Sequence, residues 1–198
     1  MKPLRTIGMQ EGWIYEVIVS TYRGDTPHSA PIGVWTHDLV TVNMEIYSGS
    51  TTLKSILELK DFAVNLVADA AVFYDSLFDK ANLEYRDSPN INAPILKNAP
   101  AVIEARLKRA EDRADRFYLE SAPVNIQENG PVELINRAEA IAIESLILAT
   151  RLPYLPGPKA REALMENYRI VRKVAPGSKY EKIVGRLIDA LDAPANTK

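Results

Sequence analysis

The chain has 198 residues, of which 46% are hydrophobic and 25% are charged, so it can bury the core of one domain, or of one domain with an appended lobe. It contains no cysteine, which excludes disulfide scaffolds, thiolate nucleophiles, iron–sulfur clusters and cysteine-type zinc sites. The only histidines are His28 and His37, which excludes a histidine-rich metal site, and we expect no bound metal.

The charge pattern narrows the choice of partners. The formal net charge is −2, and the basic residues are scattered along the chain. Nucleic acids are bound by clustered basic faces, so we expect no nucleic-acid partner, whereas a ligand with a single phosphate is compatible with the sequence. No apolar run reaches the roughly 18 residues of a membrane span, and the N-terminus lacks the apolar core of a signal peptide. We therefore expect a cytoplasmic protein without a membrane partner.

The first two thirds of the chain are typical of short antiparallel strands. Runs of β-branched and aromatic residues, separated by turn residues, predict strands over 13–22, 28–35, 39–47, 62–67, 101–110 and 116–127. Short turns join antiparallel neighbours, so the first three strands predict the start of a meander.

Two short helices and an irregular segment interrupt this pattern. The first helix follows Ser50 or Thr51 as N-cap, and the second covers 70–78 behind the cap residue Asp69. The segment 83–100 combines prolines and asparagines with isolated apolar residues, which predicts a long loop that acts as a lid or binding loop.

The last third predicts helices. Pro131 opens a helix over 132–152, the prolines of 153–158 break it, and a second helix covers 159–174. Ser178 and Glu181 have the spacing of a capping box at the start of a third helix. We therefore predict a β-rich domain over 1–128 and a helical subdomain over 129–198.

Two stretches have the composition of a ligand site. The first is a hydroxyl-rich corner at the start of the first helix, where Gly49 allows close backbone approach and the hydroxyls are those of Ser48, Ser50, Thr51 and Thr52. The amide groups of a helix N-terminus favour a phosphate, although the same residues also suit an ordinary N-cap. The second is a turn of small residues that suits a flat ring, or alternatively a strand entry with an edge proline: Ser29, Ala30, Pro31, Ile32 and Gly33.

The joint spacing of these stretches resembles a known superfamily. Ala30-Pro31, then Thr52-Leu53 with Ile56, then Phe62-Ala63-Val64-Asn65-Leu66 are similar to the flavin reductase-like members of the FMN-binding split-barrel superfamily. The layout of the whole chain resembles an uncharacterised archaeal family within it that adds a helical C-terminal part. The resemblance implies a mainly β fold with helices: an antiparallel split β-barrel plus a C-terminal three-helix subdomain.

The resemblance also implies a homodimer with FMN at the subunit interface. It places phosphate contacts on Ser50, Thr51 and Thr52, and ring contacts on residues 30–33. Ser50 stands where the reductases often carry a basic residue, so another group must meet the phosphate charge. The sequence leaves four candidates for that group: Lys54, Arg5, Arg23 and an arginine of a partner chain.

The implied function is an FMN-binding protein that acts as a flavin-dependent oxidoreductase of unknown substrate. The histidine-centred motif of many reductases is absent, and the corresponding region reads DRADRFYLE, which argues against nicotinamide-dependent reduction. The alternative is a homodimeric module that binds or carries the flavin without turnover. The sequence assigns no catalytic residue.

Overall fold

The computed structural model describes residues 4–152 and 157–192, which divide into two compact units. The first unit comprises residues 4–11 and 15–135, and the second comprises residues 12–14, 136–152 and 157–192. None of the helices in these ranges is long and apolar enough to cross a membrane.

The first unit contains the strands and two α-helices. The strands are β1 (Tyr15–Arg23), β2 (Thr26–Trp35), β3 (Val42–Tyr47), β4 (Asp61–Leu66), β5 (Tyr85–Asp87), β6 (Pro94–Leu96), β7 (Ala101–Asp112) and β8 (Arg116–Glu128). The helices are α1 (Thr51–Leu59) and α2 (Ala70–Phe78), with 3-10 turns at Leu4–Ile7 and Lys80–Asn82.

Six of these strands close into a barrel in the order β1-β2-β3-β8-β7-β4, with antiparallel neighbours throughout. Closure pairs the two outer strands with each other, so the sheet avoids the unpaired edges of an open meander. The predicted strands and the split-barrel fold class are confirmed.

Strand β4 is buried on both faces, which explains why its sequence is almost continuously apolar. Its largest side chain, Phe62, is fully buried in the core. An apolar cluster formed by strands β1, β4 and β7, the β5–β6 region and helix α2 contains Ile18, Ala63, Val67, Ile95, Leu96, Ala99, Val102, Val72, Phe73, Leu83 and Tyr85. The segment 83–100 and helix α2 therefore shield part of the barrel wall from water.

The prediction that 83–100 is an irregular loop is wrong in part, because the segment contains the β5–β6 hairpin. The buried side chain of Asn65 holds it in place: its Oδ1 accepts from the Leu96 amide at 2.8 Å, and its Nδ2 donates to the Ile18 carbonyl at 2.9 Å. The Ser20 hydroxyl adds a 2.6 Å bond to the Pro94 carbonyl. These anchors lie far away in sequence, so local composition does not reveal them.

The predicted caps of both short helices are confirmed. The Ser50 hydroxyl accepts from the Leu53 amide at 3.2 Å, and a carboxylate oxygen of Asp69 accepts from the Ala71 amide at 2.8 Å. Each cap satisfies an amide that the first helical turn leaves without a backbone partner.

The second unit is built from helices α3 (Ala138–Thr150), α4 (Gly157–Val174) and α5 (Lys179–Asp192). Their buried core includes a cluster of Ala138, Ala142, Val171, Val174, Ala175 and Val184. Residues 12–14 belong to this unit because the Ile14 amide donates to the Val174 carbonyl and Trp13 packs near Tyr180, with ring centroids 6.2 Å apart.

The helix predicted over 132–152 begins only at Ala138, so its first six residues were assigned wrongly. The carbonyl of Ile135 accepts from the Glu16 amide at 2.9 Å, which holds this backbone in a bridge to β1. The Asn136 side chain then accepts from the Ala138 amide at 2.9 Å and helps to start the helix. The pairing of Ile135 with Glu16 therefore prevents the earlier helix start that the local apolar pattern and Pro131 predict.

The capping box is confirmed at its serine: the Ser178 hydroxyl accepts from the Glu181 amide at 3.2 Å. The Glu181 carboxylate reaches one residue further back than in the standard box and accepts from the Gly177 amide at 2.6 Å. Of the predicted proline break, 153–156 lie outside the described residues, and Pro158 sits in the first turn of α4, where proline is tolerated.

Candidate functional site

Residues 29–33 lie within a continuous strand, as the strand predicted over 28–35 and the alternative of an edge proline require, and do not form a turn. They lie in β2, where Ser29 is opposite Ser20 of β1 and Pro31 is opposite Ile18. In the described structure β3 pairs with β2 only at Val34 and Trp35, so the other edge of 29–33 has no strand partner. This gap explains why a proline is tolerated here, and it leaves half-buried backbone open to a ligand.

The hydroxyl corner lies between β3 and α1, and the hydroxyls of Ser48, Ser50 and Thr52 already take part in hydrogen bonds. Ser48 faces the β7–β8 turn, since its amide donates to the Asp115 carbonyl and its hydroxyl donates to the Ala114 carbonyl at 3.0 Å. The Ser50 hydroxyl caps α1. Gly49 has a φ of +82°, which favours glycine and gives the corner its sharp bend. Thr51 is half-buried, and Thr52 is only 4% exposed.

One histidine joins the two predicted halves of the site. His28 directly precedes the 29–33 strand segment, and its Nε2 lies 2.9 Å from the Thr52 hydroxyl in the first turn of α1. Its Nδ1 lies 3.3 Å from the Nζ of Lys80, which follows α2. Barrel closure therefore brings the strand segment, the start of α1 and a lysine together in one place.

The environment of His28 disfavours protonation of its imidazole ring. Burial and, to a smaller extent, the nearby cations Lys80 and Arg23 lower the pKa of His28 below its ordinary value of 6.5. The imidazole is therefore mainly neutral at pH 7, and it can act both as a hydrogen-bond donor and as an acceptor.

A tyrosine from the 83–100 segment also contacts this region. The hydroxyl of Tyr85 lies 2.6 Å from that of Ser29, the first residue of the predicted ring segment. Burial raises the pKa of Tyr85, although its bond to Ser29 acts in the opposite direction, so the phenol stays protonated near neutral pH. The segment that was predicted to act as a lid thus contributes a hydroxyl to the wall of the site.

The structure shows how far the cations that were predicted as phosphate partners lie from the hydroxyl corner. Arg5 lines a cavity of about 400 Å³ with Leu39, before the start of β3, whereas the hydroxyl corner follows the end of β3. Six strand residues span about 20 Å, which is beyond the reach of an arginine side chain. Arg23 lies near His28, and Lys54 is exposed on α1. Lys80 was not predicted, because 52 residues separate it from His28.

Helix α2 presents an apolar surface beside β2. Its exposed side chains include Tyr74, Leu77 and Phe78, and the rings of Tyr74 and Phe78 are 5.2 Å apart. Helix α2 packs against β2, the strand that contains residues 29–33. These exposed apolar side chains belong to one short helix and form a patch, and such patches mark interaction sites.

A buried carboxylate in the barrel wall was also missed. Glu104 is fully buried and accepts hydrogen bonds from Ser88, from Asn90 at 2.7 Å and from Asn125 at 2.7 Å. Burial alone would raise the pKa of Glu104, but the bonds from Ser88, Asn125 and Asn90 outweigh it and lower the pKa. Strict alternation along β7 places Glu104 on the same face as Arg106, so the sequence of the strand does not mark Glu104 as buried.

The fold and these sequence features define the class of protein. Residues 15–130 match the family model described as "Protein of unknown function (DUF447) N-terminal domain", and residues 136–189 match the one described as "Protein of unknown function (DUF447)". The chain belongs to the DUF447 family, and the predicted resemblance is confirmed.

Particular relatives agree with this assignment. The chain is 29% identical over 144 residues to the uncharacterized protein MJ1453 of Methanocaldococcus jannaschii, covering 70% of this chain and 74% of that protein. It is similar to the FMN-bound DUF447 protein MM1853 of Methanosarcina mazei, with 26% identity, a TM-score of 0.56 and coverage of 95% and 99% of the two chains. The flavin reductase HpaC, complexed with NADP+, shares the fold at 18% identity with a TM-score of 0.54, covering 64% of this chain and 85% of that one.

Proposed function

We propose that the first unit binds FMN and that the protein is a flavin-dependent oxidoreductase of unknown substrate. The observation that carries the proposal is the His28–Thr52 hydrogen bond, which joins the strand segment and the hydroxyl corner into one site. The relative MM1853, from the same family, is an FMN-bound protein. When bound, the flavin would supply the electron chemistry, while the protein binds and orients it.

The residues at this site fit the parts of FMN. The start of α1 offers amide groups, the Thr51 and Thr52 hydroxyls and nearby cations to a phosphate. The segment Ser29, Ala30, Pro31, Ile32 and Gly33 offers small side chains and an unpaired strand edge to the ring. Ser50 would contribute mainly by capping the helix, and Ser48 by fixing the corner to the β7–β8 turn.

Substitution of the two threonines tests the position of the phosphate. Changing Thr51 and Thr52 together to alanine should weaken FMN binding at least tenfold, since each lost hydrogen bond is worth about 1 kcal/mol or more. Riboflavin, which has no phosphate, should lose much less. Flavin fluorescence titration measures both affinities, and Thr26→Ala, at the exposed start of β2, is the control. An equal loss for both flavins would contradict this position.

We propose that the functional form is a homodimer with the flavin at the subunit interface. A ring on the half-exposed segment 30–33 would keep one side open to water, and the apolar α2 surface beside it needs a cover. Phe78→Asp should therefore shift the sedimentation coefficient from dimer to monomer and weaken FMN binding. Ile143→Asp, at an exposed position of α3 in the second unit, is the control. A Phe78→Asp variant that remains dimeric would contradict this interface.

The alternative is a flavin-binding or carrier module without turnover. The β7–β8 hairpin, where many reductases place their histidine motif, contains charged and aromatic residues here, and no histidine. Anaerobic mixing of the FMN-loaded protein with NADH, NADPH or a reduced deazaflavin separates the two functions. Bleaching of the flavin absorbance by one of these donors supports the oxidoreductase, and the absence of bleaching with all of them supports the carrier.

We further propose that 1–128 is the FMN-binding domain, that 129–198 is a helical subdomain and that the protein is cytoplasmic. The family models for the two parts meet between residues 130 and 136, which supports a boundary in this region. The proposed site residues named above all belong to the first unit.

A further inference from the structure

Three polar side chains from three different elements form a continuous chain at the candidate site. Lys80, after α2, places its Nζ 3.3 Å from the Nδ1 of His28 in β2. The Nε2 of the same ring lies 2.9 Å from the hydroxyl oxygen of Thr52 in α1. The chain thus leads from an exposed ammonium group to a threonine that is only 4% exposed.

The hydrogen bonds in this chain have a defined direction. A lysine ammonium has only donors, so Nδ1 of His28 must be the acceptor in the first contact. A neutral imidazole that accepts at Nδ1 carries its hydrogen on Nε2 and therefore donates to Thr52. The Thr52 hydroxyl accepts this bond, and its own hydrogen remains to be donated.

The hydrogen of the Thr52 hydroxyl group needs an acceptor. Across the described ranges the Thr52 side chain makes no hydrogen bond besides the one with His28. Buried polar groups are nearly always satisfied, so a hydroxyl that is almost fully buried at a helix start points to a missing acceptor. An anionic oxygen satisfies it best, because the helix N-terminus carries a positive partial charge.

Two cations, Lys80 and Arg23, lie close to His28. In the part of the chain that the structure describes, neither Lys80 nor Arg23 forms an ion pair. After burial, which is the larger cause, both cations lower the pKa of His28 and so disfavour a positive charge on its ring. A ligand with negative charge would relieve this repulsion, whereas a neutral ligand would not.

We propose that Lys80, acting through His28 and Thr52, supplies the positive charge that binds the flavin phosphate and selects FMN over riboflavin. The inference rests on the proposed FMN site and identifies the group that replaces the basic residue absent at Ser50. Each donor in the chain polarises the next, so the terminal Thr52 hydroxyl becomes a stronger donor to phosphate than an isolated threonine would be. Lys80 is thus a positioning and specificity residue rather than a catalytic one.

The central test compares Lys80→Gln with Lys54→Gln, which removes the same charge from the exposed side of α1. Lys80→Gln should weaken FMN binding about tenfold, because the charge-assisted hydrogen bond that Lys80 donates to His28 is lost and no longer strengthens the Thr52 donor, and it should change riboflavin binding less than twofold. Lys54→Gln should have little effect on either flavin, and Lys80→Arg should restore part of the FMN affinity. Circular dichroism checks that each variant is folded.

A double-mutant cycle tests whether the charge acts through the histidine. If the three residues act as one chain, His28→Gln should cost about as much FMN affinity as Lys80→Gln, and the double variant should cost little more than either. Fully additive losses would overturn the chain, because Lys80 would then act independently of His28.

The outcomes separate this inference from the function on which it rests. A wild-type protein that takes up neither FMN nor riboflavin overturns the proposed function. A wild-type protein that binds FMN, together with a Lys80→Gln variant that behaves like Lys54→Gln, overturns only the role of Lys80. Inorganic phosphate should compete with FMN but not with riboflavin; phosphate binding without competition would place the anion elsewhere and overturn the inference.

Discussion

Glu104 illustrates how a single charged residue is accommodated in the barrel wall. Within residues 4–152 and 157–192, the side chains that donate hydrogen bonds to its carboxylate are all neutral, namely those of Ser88, Asn90 and Asn125. Two of these donors, Ser88 and Asn90, belong to the segment that connects β5 to β6. The buried charge is therefore used to hold the tip of this hairpin against strands β7 and β8.

At the scale of this residue we predict a pH-dependent loss of stability. The folded pKa of Glu104 lies below the ordinary value of 4.5, so the carboxylate stabilises the fold above about pH 4.5, and this contribution is lost as the pH falls through the folded pKa. Glu104→Gln should lower the free energy of unfolding by about 1–2 kcal/mol at pH 7, because charge-assisted bonds become neutral ones.

The measurement is urea unfolding at several pH values. The difference between wild type and Glu104→Gln should shrink as the pH falls below 4.5, where the wild-type carboxylate also becomes protonated. Glu58→Gln, on the exposed side of α1, serves as the control and should be neutral. A difference that stayed constant with pH would show that Glu104 is not the titrating group.

At the scale of elements, the β5–β6 hairpin depends on anchors from the barrel. Three strand residues on each side are too few for independent stability. Asn65, which is part of the Phe-x-Val-Asn-Leu motif, bonds to both β1 and β6 through its buried side chain. Asn65, a residue of the motif shared with the superfamily, therefore has a structural role here.

Removing this anchor should loosen the hairpin. Asn65→Ala leaves the Leu96 amide and the Ile18 carbonyl with fewer partners in a buried environment, which should cost about 3 kcal/mol of unfolding free energy. Hydrogen exchange at the Leu96 amide should accelerate. Asn98→Ala, at an exposed position of the same segment, should change neither quantity. Unchanged exchange at Leu96 in Asn65→Ala would refute the anchoring role.

The end of helix α1 offers a stabilising substitution. Lys60 is exposed and has a φ of +64°, a left-handed conformation that costs non-glycine residues about 1–2 kcal/mol. Lys60→Gly removes this strain, partly offset by the greater freedom of glycine in the unfolded chain. We expect a gain of about 0.5–1 kcal/mol in thermal or urea unfolding. Lys54→Gly, inside the helix, should instead cost about 1 kcal/mol.

At the scale of the whole molecule, the barrel is closed, and yet β2 is paired with β3 only at its end. The unpaired stretch adjoins the start of α1 through His28 and lies beside the exposed face of α2. Closure stabilises the scaffold, and the incomplete pairing leaves backbone groups available for a ligand. Both features belong to the first unit.

FMN should accordingly stabilise the protein from within the first unit. At a free concentration one hundred times its Kd, FMN should add about 2.7 kcal/mol to the unfolding free energy and raise the Tm. Hydrogen exchange should slow in residues 28–33 and 48–55, while α4 and α5 of the second unit should be unaffected. Protection confined to the second unit would place the flavin outside the proposed site.

The sequence by itself determined the features whose physical cause is local. Alternating apolar residues, turn residues and side-chain caps act over two to four positions, so the barrel strands, the Ser50 and Asp69 caps and the last helix were predictable. The spacing from Ala30-Pro31 to Asn65 was sufficient to indicate the superfamily. It also selected the two stretches that the structure joins through His28 and Thr52.

Only the tertiary structure decided the contacts that barrel closure creates. Lys80 meets His28 across 52 residues, and Asn65 fixes a hairpin 31 residues away. Ile135 is held by Glu16, which delays helix α3 to Ala138. A buried carboxylate such as Glu104 looks like a surface residue until its donors are in place. These partners are remote in sequence, and so no local pattern could specify them.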